Sequence, residues 1–335
     1  MYAFPSHTAA SIPTSDETPT SDLPPLLVLR PLSDAWLSAL NAKFTLVSPS
    51  SPLSASVHAA LISGAYNRVD PALLDQYPSL RCLVNTGAGV NHINLEECKR
   101  RGVQVANVGE THSKNVADYA VGLLLDVMRR ITMSDRYVRN GLWVTRDNYP
   151  LGSKLFVQIF QLGGKRVGIV GLGSIGSAIA KRLEAFGCKI SYLSRKPKPT
   201  VSYRYIPNIC DLAAESDILV VSCALTKETH HIVNKQVLQA LGKEGIIINI
   251  GRGANIDEPE LVRCLIQGEI KGAGLDVFEH EPNIPKELIE LENVVLTPHQ
   301  SVFTPEAMAE VIQICIANFE AFFAGKPVIT PVVAD

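Results

Sequence analysis

The stretch Gly171-Leu172-Gly173-Ser174-Ile175-Gly176 constrains this chain more than any other, because of what flanks it. An apolar run over 167–170 leads in, and a helical pattern over 177–186 leads out. A lone glycine triplet of this spacing is weak evidence, but strand, glycine turn and helix in that order form a dinucleotide site. The first glycine permits the tight turn, and the second lets the backbone approach a pyrophosphate. The third lets the helix pack closely on the strand, so that its N-terminal N–H groups face the phosphates. Gly171, Gly173, Ser174, Ile175 and Gly176 are therefore expected to bind the cofactor.

At 335 residues the length suggests about two domains. Strand patterns near 26–30, 44–47, 60–63, 82–85 and 103–106 alternate with helical patterns near 33–41, 70–77 and 94–101. A long amphipathic run over 114–139 closes this half. Beyond it, strands near 166–170, 189–194, 218–222, 246–250, 273–276 and 294–296 alternate with helices near 174–186, 234–241 and 258–267. Thr304-Pro305, a capping hydroxyl followed by proline at the first helical position, opens a last helix to about Phe323. Strands separated by helices predict parallel sheets covered on both faces. The fold expected is α/β with two doubly wound parallel-sheet domains and ligands in the cleft between them.

Composition excludes several classes. A net charge of −2 gives no basic field for nucleic acid and no polybasic membrane patch. No apolar run approaches the ~20 residues of a membrane span. Seven cysteines, scattered and without CxxC spacing, read as reduced thiols, which makes the cytoplasm the expected compartment. Residues 1–25 are rich in Ser, Thr and Pro, with no apolar core and no arginine, and read as a disordered leader. No cluster has metal-ligand spacing, so no metal is expected; His92, His230, His231 and His280 read as surface or loop histidines.

Three further segments carry chemistry. The strand after the glycine turn ends in Ser194-Arg195-Lys196, where an NAD-specific site usually places an acid. A hydroxyl and two cations suit a 2′-phosphate, so NADP(H) is preferred over NAD(H); a solvated basic loop is the alternative. The strand Ile246-Ile247-Ile248-Asn249 delivers Arg252 between two glycines at its carboxyl end, where a guanidinium can grip a carboxylate with two prongs. Taken alone, Arg252 serves equally as an interdomain salt bridge. Asp276-Val277-Phe278-Glu279-His280-Glu281-Pro282 and Thr297-Pro298-His299 then offer a carboxylate and a histidine, a pairing that is structural in most proteins and a proton relay in some.

From about Leu80 to Phe323 the chain resembles the D-isomer-specific 2-hydroxyacid dehydrogenases, most of all the plant glyoxylate/hydroxypyruvate and hydroxyphenylpyruvate reductases. The likeness rests on Gly171-x-Gly173-x-x-Gly176, Leu225-Thr226-x-x-Thr229-x-x-Ile232-x-Asn234, Asn249-Ile250-Gly251-Arg252-Gly253, Asp276-Val277-Phe278-Glu279-x-Glu281-Pro282 and Thr297-Pro298-His299. It implies a Rossmann-type cofactor domain over 119–299, inserted in a flavodoxin-like substrate domain made of 26–118 and 300–335. It further implies that Arg252 binds a 2-oxo acid, that His299 exchanges the proton and that Glu281 supports His299. Asp276 falls on the cofactor side. Formate dehydrogenases of this superfamily carry Gln where Glu281 stands, which argues against them. Ala88 and Gly89, in Asn85-Thr86-Gly87-Ala88-Gly89-Val90, match the loop whose N–H groups hold the substrate carboxylate. Trp143 resembles an aromatic that in some relatives reaches a neighbouring subunit's pocket, and the family is typically homodimeric. One departure stands out: Gln300-Ser301-Val302-Phe303 follow the histidine where relatives carry small residues, which bears on the pocket's size. The resemblance implies NADPH-dependent reduction of a small 2-oxo acid, with hydroxyphenylpyruvate reduction as the runner-up. A dinucleotide-sensing interaction protein is the alternative from another class.

Overall fold

The computed structural model describes residues 23–64, 67–145 and 160–332. The leader expected over 1–25 lies, up to residue 22, outside the described residues. Packing divides the chain into two units, one running to His112 and resuming at Thr304, the other spanning Ser113–Phe303.

The first unit holds a parallel sheet of β1 (Pro25–Val28), β2 (Thr45–Val47), β3 (Ala59–Ile62), β4 (Cys82–Asn85) and β5 (Gln104–Ala106), in the order β2-β1-β3-β4-β5. That is the flavodoxin-like order. The helices of this unit are α1 (Asp34–Asn41), α2 (Pro71–Gln76), α3 (Leu95–Arg100) and the chain's last, α12 (Pro305–Phe323). Every residue of β3 and β4 is buried, as parallel strands covered on both faces must be. Alternate residues serve opposite layers: Cys82 and Val84 pack with Trp36, Leu40, Phe44 and Phe319, while Leu83 packs with Leu27, Leu74 and Ile93. The Thr304 hydroxyl caps α12 by accepting from Ala307 N–H at 3.1 Å, so the last helix starts where its sequence predicts.

The second unit is a seven-stranded parallel sheet: β6 (Arg166–Val170), β7 (Lys189–Leu193), β8 (Arg204–Tyr205), β9 (Ile218–Val221), β10 (Ile246–Asn249), β11 (Gly272–Leu275) and β12 (Val294–Leu296). Its order is β12-β11-β10-β9-β6-β7-β8, the Rossmann arrangement with one strand added. Winding runs outward from β6 to β8, then resumes at β9 on the other side of β6. The carboxyl ends of β6 and β9 thus form the switch point where such sheets bind ligands. Helices α4 (Ser113–Arg129), α5 (Ile131–Arg139), α6 (Leu142–Thr145), α7 (Ser174–Ala185), α8 (Ile209–Ala214), α9 (Lys235–Leu241), α10 (Glu258–Gln267) and α11 (Lys286–Glu290) complete it.

Three features differ from the sequence reading. The run over 114–139 is two helices, because Arg130 takes a left-handed φ of +56° and the Asp126 carboxylate caps the restart by accepting from Thr132 N–H at 2.8 Å. The units divide before Ser113 and after Phe303, not at 118/119 and 299/300. Arg182 of α7 holds the Asp118 carboxylate at 2.6 Å and the Lys114 carbonyl at 3.1 Å, which ties the start of α4 to the second unit. Finally, α6, β8, α8 and α11 went unread: at two to six residues they are too short for periodicity to register.

Candidate active site

β6 runs into the glycine turn, where Gly171 bends the chain at a φ of +96°. A side chain here would also strike the Cys223 backbone, whose N lies 2.7 Å from the Cβ position. Gly173 caps α7 and faces open space. Ser177 is the first residue of α7 whose N–H finds a carbonyl, that of Gly173 at 2.9 Å. The N–H groups of Ser174, Ile175 and Gly176 are the unpaired donors every helix start presents. An open cradle that a Cβ would fill, under free N–H groups and the positive end of a helix, fits a dinucleotide pyrophosphate.

β7 lies beside β6, and Gly171 N–H donates to Leu193 O at 2.9 Å, which sets Ser194, Arg195 and Lys196 next to the glycine turn. The Ser194 hydroxyl donates to Lys196 O at 2.6 Å and Tyr205 donates to Ser194 O at 3.3 Å, so the basic turn is held in shape.

At the end of β10, two buried asparagines fold the Arg252 turn. Asn249 accepts from Gly251 N–H at 3.0 Å and donates to Arg252 O at 3.0 Å, while Asn255 accepts from Arg252 N–H at 2.9 Å. The Arg252 guanidinium donates to Gly251 O at 2.6 Å. Burial pushes its pKa below the ordinary arginine value and the Glu281 charge opposes that shift, leaving a charged group at neutral pH. Gly253 lies directly on the segment after β11: a Cβ on it would sit 1.8 Å from the Phe278 carbonyl carbon.

That segment holds Glu281, and His299 meets it. His299 Nδ1 is 2.8 Å from Glu281 Oε2, and Glu281 Oε1 accepts from Phe278 N–H at 2.9 Å. Burial raises the Glu281 pKa, but the His299 contact and the Phe278 N–H outweigh it and hold the carboxyl below its ordinary range. With Nδ1 engaged, Nε2 is the ring atom left to exchange a proton. The histidine itself sits at a left-handed φ of +50°. Asp276 stabilises that turn: its carbonyl accepts from His299 N–H at 2.8 Å, and its carboxylate accepts from Thr297 Oγ1, Gln300 N–H and Ser301 N–H at 2.7, 3.0 and 3.1 Å. One fully buried aspartate therefore organises the whole 297–301 loop.

Residues 121–301 match the D-isomer specific 2-hydroxyacid dehydrogenase NAD binding domain. A glyoxylate/hydroxypyruvate reductase of Arabidopsis thaliana is 53% identical over 282 residues, covering 84% of this chain and 85% of that protein. The chain belongs to the D-isomer specific 2-hydroxyacid dehydrogenase family. A hydroxyphenylpyruvate reductase of Plectranthus scutellarioides is 47% identical over 82% of this chain and 85% of its own length. Among solved structures, an NADPH-dependent glyoxylate/hydroxypyruvate reductase of Sinorhizobium meliloti, in complex with NADP and malonate, superposes with a TM-score of 0.86. It is 35% identical and covers 92% of this chain and 97% of that one.

In the first unit of this dehydrogenase, Asn85 donates to the carbonyls of Gly87 and Gly89 at 2.8 and 2.9 Å, and Asn107 donates to that of Ala88 at 2.7 Å. No hydrogen bond among the described residues takes up the N–H groups of Ala88 and Gly89. Trp143 lies on α6, well exposed, with Val144, Ile131 and Val138 also exposed on α5 and α6. Gln300, expected to bear on the pocket, donates its amide to the Tyr119 hydroxyl on α4 at 2.6 Å, and Phe303 is exposed. Sequence reasoning missed Tyr119 and the Asn249–Asn255 lacing, since nothing local marks a buried polar pair before the strand ends are packed. It also missed that His231 lies 2.9 Å from Glu279, 48 residues on.

Proposed function

We propose that the chain is a cytoplasmic, homodimeric, NADPH-preferring reductase of hydroxypyruvate and glyoxylate. The observation that carries this reading is the His299–Glu281 pair, whose glutamate lies on the segment against which Gly253 packs the Arg252 turn. Reduced dinucleotide, held by Gly171, Gly173, Ser174, Ile175 and Gly176, supplies a hydride to C2 of the acid when bound. The protein's residues do the rest. As charge grows on the carbonyl oxygen, His299 Nε2 delivers a proton to it, and in the reverse direction accepts one. Glu281 fixes the ring orientation and pairs with its positive charge. Arg252 takes the carboxylate and the developing oxyanion, in a site where burial strengthens both contacts. Ala88 and Gly89, their N–H groups unclaimed, are the proposed carboxylate donors of the first unit. Asp276, fully buried, holds the His299 loop through its carboxylate. The exposed apolar face of α5 and α6 is the proposed subunit contact, with Trp143 reaching the partner's pocket.

NADPH oxidation, followed by absorbance with hydroxypyruvate, glyoxylate and 4-hydroxyphenylpyruvate in parallel, tests the assignment. Faster turnover with the two small acids upholds it. Preference for the aromatic acid moves the protein to the second reading, which the 47% identical relative favours. Absence of turnover with all three sinks both.

Two substitutions test the binding roles. Arg195→Ser is expected to lower kcat/KM for NADPH about tenfold to hundredfold, the worth of one charge-assisted hydrogen bond, and to leave NADH nearly untouched. Equal losses with both cofactors count against a 2′-phosphate contact. Arg252→Lys is expected to raise the KM for the 2-oxo acid and lower kcat together, since an ammonium cannot make the two-pronged contact. Unchanged kinetics would show that the guanidinium grips no carboxylate.

A further inference from the structure

We propose that His230, His231 and Glu279 form a binding site for a divalent transition-metal ion of the zinc, cobalt or nickel class. One ligand atom from each of the three side chains lies within 4.8 Å of the others. His231 Nε2 is 2.9 Å from Glu279 Oε1, and the two imidazoles stack with centroids 4.0 Å apart at 29°. Neighbouring residues of an extended chain project to opposite sides. Here the left-handed turn at His231, φ +49°, swings both rings to one side, where they meet a carboxylate from a distant segment.

The frame around the three is fixed. His230 N–H donates to Thr226 O at 3.0 Å, and His231 N–H to Ala254 O at 2.8 Å. The Thr229 hydroxyl donates to Ala224 O at 2.6 Å, and Asn255 donates to Thr229 O at 3.2 Å. On the other segment, Glu279 N–H donates to the carboxylate of buried Glu258 at 3.1 Å. Only the exposed His230 ring needs to move. Ligand atoms about 2.0–2.1 Å from a tetrahedral ion stand about 3.3 Å apart, and a ring binds an ion only in its own plane, so the exposed His230 ring must swing out of its stack on His231 to close the set.

Ligand chemistry sets the class of ion. Two imidazoles and one carboxylate suit zinc and its neighbours, whereas magnesium and calcium prefer all-oxygen shells. Three protein ligands leave a fourth position for water. The set is separate from the His299–Glu281 pair, and its occupancy does not depend on the reductase reading.

The test uses the full chain, stripped with a chelator and titrated with cobalt(II), followed by its visible absorption and by equilibrium dialysis. The expected result is one tight equivalent, with the d–d bands of nitrogen and oxygen ligation and no thiolate charge-transfer band. His230→Ala and Glu279→Gln are each expected to weaken that equivalent at least tenfold. His230 is exposed, so His230→Ala keeps the fold, and a metal-free thermal midpoint equal to the parent's confirms it. Zinc should raise the midpoint of the parent, and not that of either variant, through preferential binding to the folded state. Failure to bind cobalt at submillimolar concentration, binding of equal strength in parent and His230→Ala, or a thiolate band would each overturn the site.

Discussion

His299→Gln is expected to lower turnover by about 10²–10⁴-fold, the usual contribution of a positioned general acid. The substitution removes the ring placed to exchange a proton while leaving the glycine turn and the Arg252 turn in place, so the dissociation constant for the cofactor should stay close to the parent's. His299→Asn is the stricter version, because asparagine tolerates the left-handed backbone that this position requires. A loss of less than tenfold in both variants would remove His299 from the proton-transfer role. The acid side of the pH profile adds a second check. Glu281 has a folded-state pKa below its ordinary value, so its pairing with His299 is fully present above the ordinary carboxylate range. That pairing, and the stability it contributes, fades only as pH falls through the lowered value. Glu281→Gln should flatten this acid limb.

Gly253→Ala should be the most damaging small substitution in the second unit. Its Cβ would meet the Phe278 carbonyl carbon at 1.8 Å, the carbonyl oxygen at 2.1 Å and Glu279 N at 2.2 Å, all backbone atoms that no side-chain rotation can clear. The Arg252 turn must then lift away from the segment that carries Glu281. Overpacking of this kind costs about 1–3 kcal/mol, and a displacement of about 1 Å between catalytic groups is enough for a roughly 10²-fold loss of rate. Thermal denaturation and steady-state kinetics read the two effects separately. Kinetics within tenfold of the parent would show that the two segments need not touch for the reaction.

That contact explains why two motifs separated by some twenty-five residues work as one. Asn249-Ile250-Gly251-Arg252-Gly253 and the run from Asp276 to Pro282 leave the ends of neighbouring strands, β10 and β11, and the glycine is what lets them close on each other. Neither motif carries this information by itself.

Asp276 makes the same point from the other direction. The sequence places it at a strand end near a histidine, which is compatible with a cofactor contact. Packing shows a carboxylate with no exposure, accepting one hydroxyl and two backbone N–H groups from the loop that presents His299. A buried carboxylate is tolerated only when its lone pairs are used in this way. The loop therefore keeps its left-handed turn because the aspartate is there.

Much was legible in the chain itself. Alternation of apolar strands with amphipathic helices dictates parallel sheets, because each strand must be covered on both faces. The glycine spacing between one strand and one helix dictates a phosphate cradle, because only a residue without a side chain fits there. Local chemistry of that kind is written in neighbouring residues. Tertiary structure alone decided the rest. It split the run over 114–139 at Arg130, drew the start of α4 into the second unit through Arg182, engaged Gln300 on Tyr119, and brought His230 and His231 to Glu279. Each of these depends on side chains far apart in sequence meeting across packed elements. Such meetings are set by strand order and burial, which no local window of residues contains.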